Sequence, residues 1–278
     1  MSLNKGESMD IKLVVFDVDG TLVTAHSRIL LDSTIESIHR LQDRGIQIAI
    51  ASGRPFYAME RSIIERVKFD YIIASNGSFV YNNNRKRIIN AFQIPNDLVM
   101  RYALYCETTK SGALFNFEDA GYAYAGFDKI VGMMSDTLGR IDFVVNHRSQ
   151  IRHLQSKPNA IIGYIEDAHI GLFRSKFPEF EFLSFIPNFY DVFPKGTNKA
   201  TGISDICQDI GIDMSQVMAF GDAMNDYEMI QGVGLGVAMG NALPAILEVA
   251  DYVTDNTEQE GIKNALVRFN LIEDFENV

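Results

Sequence analysis

The stretch Val14-Val15-Phe16-Asp17-Val18-Asp19-Gly20-Thr21 constrains this chain more than any other. Residues 12–16 form a short apolar run. Such a run suits a strand buried on both faces, as in a parallel sheet. It leads into two carboxylates, Asp17 and Asp19. Ligands bind at the C-terminal edge of such sheets, where loops converge on a crevice. Two acids placed there repel unless a cation sits between them or one holds a proton. Gly20 lets the backbone turn sharply. Alone, the stretch also reads as a strand ending in an ordinary Asp/Gly turn, so the rest of the chain must decide.

That ending recurs. Ser33 and Glu36 have the spacing of a capping box and open a helix that stops at Gly45. A strand over 46–51 ends in Ser52-Gly53-Arg54-Pro55, and a helix is expected over 56–67. A third strand, 70–74, ends in Ser75-Asn76-Gly77. Strands alternating with helices predict a doubly wound parallel sheet. From Phe79 the texture changes. A hairpin is expected around Asn82-Asn83-Asn84, a helix over 95–108, and strands over 113–117, 140–145 and 160–165. A helix over 168–177 and an antiparallel pair around Pro187-Asn188 follow. The aromatic segment 115–127, with Tyr122 and Tyr124, reads as core in preference to pocket lining. The βα rhythm returns after Lys195, with a helix over 197–210. A strand over 217–220 then ends in Gly221-Asp222-Ala223-Met224-Asn225-Asp226. Strands over 235–239 and 251–253 and a helix over 261–269 complete the chain. The expected fold is α/β, a doubly wound parallel-sheet core over 9–82 and 191–278, with an α+β domain inserted at 83–190.

Composition excludes several functions. With 278 residues and a net charge of -11, the chain offers no general surface for nucleic acid or anionic membrane. An acidic protein that handles phosphate needs a metal and a few placed cations. No stretch approaches about eighteen uninterrupted apolar residues, so no membrane span is expected. Residues 1–8 are polar and do not read as a signal peptide. Cys106 and Cys207 lie far apart, neither in a CxxC pair, and read as buried thiols of a reducing, cytoplasmic setting.

The strand ends would gather Asp17, Asp19, Ser52, Asp222, Asn225 and Asp226, with Lys199 beside them. Several carboxylates in one crevice call for a hard divalent cation, and magnesium matches a few carboxylates plus water. Lys199 and the Ser52-Gly53 turn offer donors to an oxyanion, which outlines a phosphoryl-transfer site. An aspartate can attack phosphorus and carry the phosphoryl group, while a second acid protonates the leaving oxygen.

In order and spacing, Asp17-Val18-Asp19-Gly20-Thr21, Ser52-Gly53-Arg54, Lys199 within Gly196-Thr197-Asn198-Lys199, and Gly221-Asp222-Ala223-Met224-Asn225-Asp226 resemble the four motifs of the haloacid dehalogenase superfamily. Together with Met239-Gly240-Asn241-Ala242 they resemble its Cof-type, subclass IIB, sugar-phosphatase-like branch. The resemblance implies a Rossmann-like core and a C2B-type cap at the insertion. It implies that Asp17 is nucleophile and Mg²⁺ ligand, and that Asp19 is general acid/base with its carbonyl on the metal. Asp222 would be the third ligand, with Asp226, Thr21 and Asn76 around this set. Val18, Ser52, Gly53, Lys199 and Asn225 would hold the phosphoryl group. Taken alone, Lys199 also reads as a solvated helix residue, Asp226 as an acid favoured at a helix N-terminus, and Arg54 as a helper of helix initiation. The implied activity is hydrolysis of a small phosphorylated metabolite, a sugar phosphate or similar, by a monomer or weak homodimer. A phosphomutase and a non-catalytic phosphometabolite sensor are the alternatives.

Overall fold

A computed structural model describes residues 10–24, 28–59, 63, 66–138 and 141–275. The chain opens with β1 (Leu13–Asp17), α1 (Asp32–Asp43), β2 (Gln47–Ala51), β3 (Tyr71–Ala74), β4 (Phe79–Asn82) and β5 (Arg87–Ala91). There follow α2 (Asn96–Thr109), β6 (Gly112–Asn116), β7 (Gly121–Ala125), α3 (Phe127–Leu138) and β8 (Val144–Asn146). Next come β9 (Ala160–Tyr164), α4 (Ile170–Lys176), β10 (Phe180–Ile186) and β11 (Phe189–Pro194). The last segment holds α5 (Lys199–Ile210), β12 (Val217–Gly221), α6 (Tyr227–Gly232), β13 (Leu235–Ala238), α7 (Pro244–Val249), β14 (Tyr252–Val253) and α8 (Gly261–Arg268).

The larger sheet has the order β14-β13-β12-β1-β2-β3-β4-β5, parallel as far as β3 and antiparallel beyond it. β1 lies near its middle, between β2 and β12. Its alternating residues serve two cores. Val14 and Phe16 pack with Ile38, Leu41 and Leu266 on one face. Leu13 and Val15 pack with Ile203, Ile206 and Met229 on the other. Burial on both faces is why the run is apolar without alternation.

The second sheet has the order β10-β11-β9-β6-β7-β8. α2 and α4 cover one face with an aromatic core of Tyr102, Phe115, Phe173 and Phe177. Ile130, Met133 and Met134 of α3 cover the other. Phe115, Phe117 and Tyr124 are buried core residues, as expected of the aromatic segment. Cys106 and Cys207 are buried and unpaired.

Several expectations shift. The boundary at residue 83 falls inside the β4–β5 hairpin, and β5 belongs to the larger sheet, so the change of sheet comes after Ala91. At the other end β11 runs on to Pro194, past residue 190. The Ser33/Glu36 capping box does not form. The helix starts at Asp32, so Ser33 is already inside it, and the cap position Leu31 makes no side-chain bond. Glu36 pairs instead with Arg40 at 2.8 Å. β7 and α3 occupy a stretch where neither strand nor helix was expected, and in place of the strand expected over 140–145 stands the shorter β8, Val144–Asn146. The helix expected over 56–67 begins as a single 3-10 turn, Phe56–Ala58. Residues 60–62 and 64–65 of that helix, residue 140 of the strand, and residues 1–8 lie outside the described residues.

Candidate active site

Asp17 ends β1 and is 5% exposed. After it the chain folds back: the Leu22 N–H donates to the Asp17 carbonyl at 3.2 Å and the Gly20 N–H to the Val23 carbonyl at 2.9 Å. Gly20 has a φ of +90°, where side chains other than glycine's are strained. A Cβ there would also lie 2.4 Å from Asp222 Oδ2. Asn241 and Thr257 both donate to the Gly20 carbonyl, at 2.9 and 2.5 Å. The turn thereby holds Thr21 where its hydroxyl donates to Asp222 Oδ1 at 2.8 Å.

Lys199 is the first residue of α5. Asn198 caps that helix by accepting the Thr201 N–H at 2.9 Å. A lysine at a helix N-terminus opposes the helix dipole, and this one is 0% exposed. Its compensation is two buried carboxylates: Nζ donates to Asp17 Oδ1 at 2.5 Å and to Asp226 Oδ1 at 2.6 Å. Burial alone would lower the Lys199 pKa, but Asp17 and Asp226 outweigh it and raise it. The second oxygen of Asp226 accepts the backbone N–H groups of Asp222 and Ala223, at 2.9 and 3.0 Å. Lys199 is therefore no solvated helix residue, and both oxygens of Asp226 are engaged.

Oxygens of Asp17, Asp222 and Asp226 lie within 4.8 Å of one another. Burial and the Asp226 charge raise the Asp17 pKa well above the carboxylate range. Burial, reinforced by Asp226, pushes Asp222 up to about 6 despite the Thr21 hydrogen bond. Three carboxylates against one ammonium form an all-oxygen set with charge to spare, which fits a hard dication.

Asp19 is placed differently. Its side chain is 51% exposed, and Arg54 grips it as a fork, with Nε on Oδ2 at 2.9 Å and Nη2 on Oδ1. Arg28 stands 3.7 Å away. Ser52 Oγ accepts the Arg54 N–H at 3.2 Å. Asn76, in the left-handed region with φ 53°, accepts from Asn225 Nδ2 at 3.1 Å and donates to Asp191 at 3.0 Å. Asp191 lies on β11, so this relay joins the two sheets. A Cβ on Gly53 would sit 2.8 Å from the Asp191 carboxylate, so a larger residue there would push that carboxylate aside. A cavity of about 710 Å³ lies over this cluster, with Asp17, Asp19, Ser52, Gly53 and Asn225 among its lining.

The structure thus gathers Asp17, Val18, Asp19, Thr21, Ser52, Gly53, Asn76, Lys199, Asp222, Asn225 and Asp226 at one sheet edge. Sequence reasoning missed the Arg54 fork and Asp191. The available signal for Asp191 was one acid in the otherwise apolar run 189–193. The model for haloacid dehalogenase-like hydrolases matches residues 14–266. The chain belongs to this family.

Two curated relatives of this haloacid dehalogenase-like hydrolase match over nearly their whole length. A Bacillus subtilis protein, YkrA, whose name gives phosphatase as a provisional assignment, is 31% identical over 265 residues, covering 95% of this chain and 100% of its own. The 5-amino-6-(5-phospho-D-ribitylamino)uracil phosphatase YcsE of Bacillus subtilis is 30% identical over 269 residues, covering 94% and 96%. Among solved structures, the subclass IIB sugar phosphatase BT4131 superposes with a TM-score of 0.82 at 28% identity, covering 94% of this chain and 100% of that one. The enzyme class is phosphoric monoester hydrolase. No helix among the described residues is long and apolar enough to cross a membrane.

Proposed function

We propose that this hydrolase is a magnesium-dependent phosphatase of a small phosphorylated metabolite, working through an aspartyl phosphate on Asp17. The observation that carries the reading is the placement of Asp17. It is buried at the end of a central strand, fixed by Lys199, and open to a cavity between the two sheets. Asp17 and Asp222, with the Asp19 carbonyl, would hold the metal. When bound, magnesium neutralises charge on the phosphoryl oxygens. Val18, Ser52, Gly53, Lys199 and Asn225 orient the phosphoryl group. An Asp17 oxygen attacks phosphorus as the bond to the leaving oxygen breaks, and Asp19 gives that oxygen its proton. Asp19 then takes a proton from water, whose oxygen attacks phosphorus and frees both Asp17 and inorganic phosphate. Asp19 must loosen from the Arg54 fork to reach the leaving oxygen. The second sheet acts as a cap over the site, excluding bulk water during the first step. The relatives' named substrates, a ribitylaminouracil phosphate and sugar phosphates, support a small organic phosphate.

Phosphate release from p-nitrophenyl phosphate should be repeated over many turnovers, stop in EDTA and return with Mg²⁺. Full activity in chelator would remove the metal from the scheme. Asp17→Asn should leave essentially no turnover. With Asp19→Asn, which lacks the base for the second step, label from the substrate should accumulate on Asp17. Label on Asp19 or on a serine would overturn the mechanism.

A further inference from the structure

The cavity has two unlike ends. At one lie the carboxylates, Arg28, Arg54, Ser52, Gly53 and Asn225. The other end, contributed by the second sheet and its helix, is apolar: Met133 and Met134 of α3, Ile162 of β9, and Leu183, Phe185 and Ile186 of β10. Among the described residues, the polar lining there is Ser184 and Asp191 alone, and Asp191 already accepts from Asn76. A polyhydroxylated sugar would bury several hydroxyl groups against these side chains. Each hydroxyl left without a partner costs about 1–3 kcal/mol. A flat ring meets the opposite terms, since it buries area against aliphatic groups and the methionine sulfurs make favourable contacts with aromatic edges.

The rim adds an independent observation. Phe185 is 44% exposed, and Met224 and Leu243, on the loops after β12 and β13, are 48% and 46% exposed. All three line the cavity. Large apolar side chains left in water around an opening are surface that an apolar ligand covers. A volume of about 710 Å³ takes a ring system together with its phosphate.

We infer that the group esterified to phosphate is an apolar, ring-bearing alcohol rather than a polyhydroxylated sugar, selected by the apolar wall of α3, β9 and β10. This rests on the phosphatase reading of the same site.

The test compares esters of primary alcohols, so that leaving-group chemistry is similar: benzyl phosphate and 2-naphthylmethyl phosphate against a hexose 6-phosphate. Acetyl phosphate reports the chemistry without a ring or sugar. The expected result is a kcat/KM for 2-naphthylmethyl phosphate at least about tenfold above that for the hexose phosphate. Leu183→Asn and Phe185→Asn should each cut that ratio by about tenfold. β10 is the edge strand of its sheet and both residues are partly exposed, so these changes spare the fold. Acetyl phosphate turnover with a hexose phosphate preferred or equal overturns this inference and leaves the phosphatase reading standing. So does a ratio unmoved in both variants, the outcome if the apolar rim only closes against itself. No turnover of any of these esters or of acetyl phosphate overturns both.

Discussion

Replacing Lys199 by methionine removes the one ammonium between Asp17 and Asp226 and leaves a side chain of similar length. Breaking a buried ion pair from one side strands the opposite charge and costs roughly 3–5 kcal/mol. Lys199→Met should therefore lose about that much stability in urea unfolding, and Mg²⁺ should restore part of it by neutralising the same carboxylates. Asp191 gives a pH test. Burial raises its pKa from 3.8 to about 7, against the opposing Asn76 hydrogen bond and Lys199 charge. The folded chain thus holds this proton more tightly than the unfolded chain. The associated stability is present below about pH 4 and is lost as pH rises through about 7. Asp191→Asn removes that dependence, so the variant's unfolding midpoint should gain on the parent between pH 5 and pH 8; a constant difference would contradict the assignment. The carboxylates of the cluster were legible because acids after an apolar strand need a chemical reason. The Arg54 fork was not, since residues 19 and 54 meet only through the side-by-side pairing of β1 and β2.

At the scale of elements, the turn after β1 carries the sharpest constraint. Gly20→Ala adds a strained φ, and its methyl group must displace the Asp222 carboxylate from the Thr21 hydroxyl. A displacement of that size in a catalytic array costs on the order of 10²-fold. Steady-state turnover of Gly20→Ala should fall by about that much, and its Mg²⁺ requirement should rise. The buried strands of the larger sheet were readable from their apolar runs, as were α2, α4 and α5, but β7 was not. α3 was not, because its segment begins with aromatic and β-branched residues that favour strands and carries Gly132 in its middle. The hairpin β4–β5 was legible as a hairpin, but nothing local states which sheet it joins. An antiparallel edge on a parallel sheet is common in such folds. That ambiguity is why the change of sheet comes after Ala91 and not at the expected residue 83.

Across the whole molecule, two side-chain links between the sheets stand out among the described residues. One is Asn76 with Asp191. The other is Tyr57, whose hydroxyl donates to Asn116 Oδ1 at 2.7 Å while its ring lies 5.3 Å from that of Phe143. Tyr57→Phe leaves the Asn116 side-chain oxygen without the Tyr57 hydroxyl, at a cost of about 1–3 kcal/mol, and weakens the hold of the second sheet over the cavity. KM for a bulky ester should rise while kcat changes little, and amide exchange in β6 and β7 should quicken. Unchanged exchange would show that Tyr57 does not fasten the sheets.

The central position of β1 also bears on how the protein is made. Thr21 and Asp222, hydrogen-bonded in the finished fold, stand 201 positions apart. On the ribosome β1 pairs early with β2, but its other edge belongs to β12, which emerges only after the whole second sheet. At about 5–20 residues per second, that edge waits on the order of 10–40 s. An apolar strand with one open edge invites pairing with other chains throughout that interval. A chain truncated before β12 holds Asp17 without Asp222, so translation has to pass through the entire second layer before any chemistry can begin.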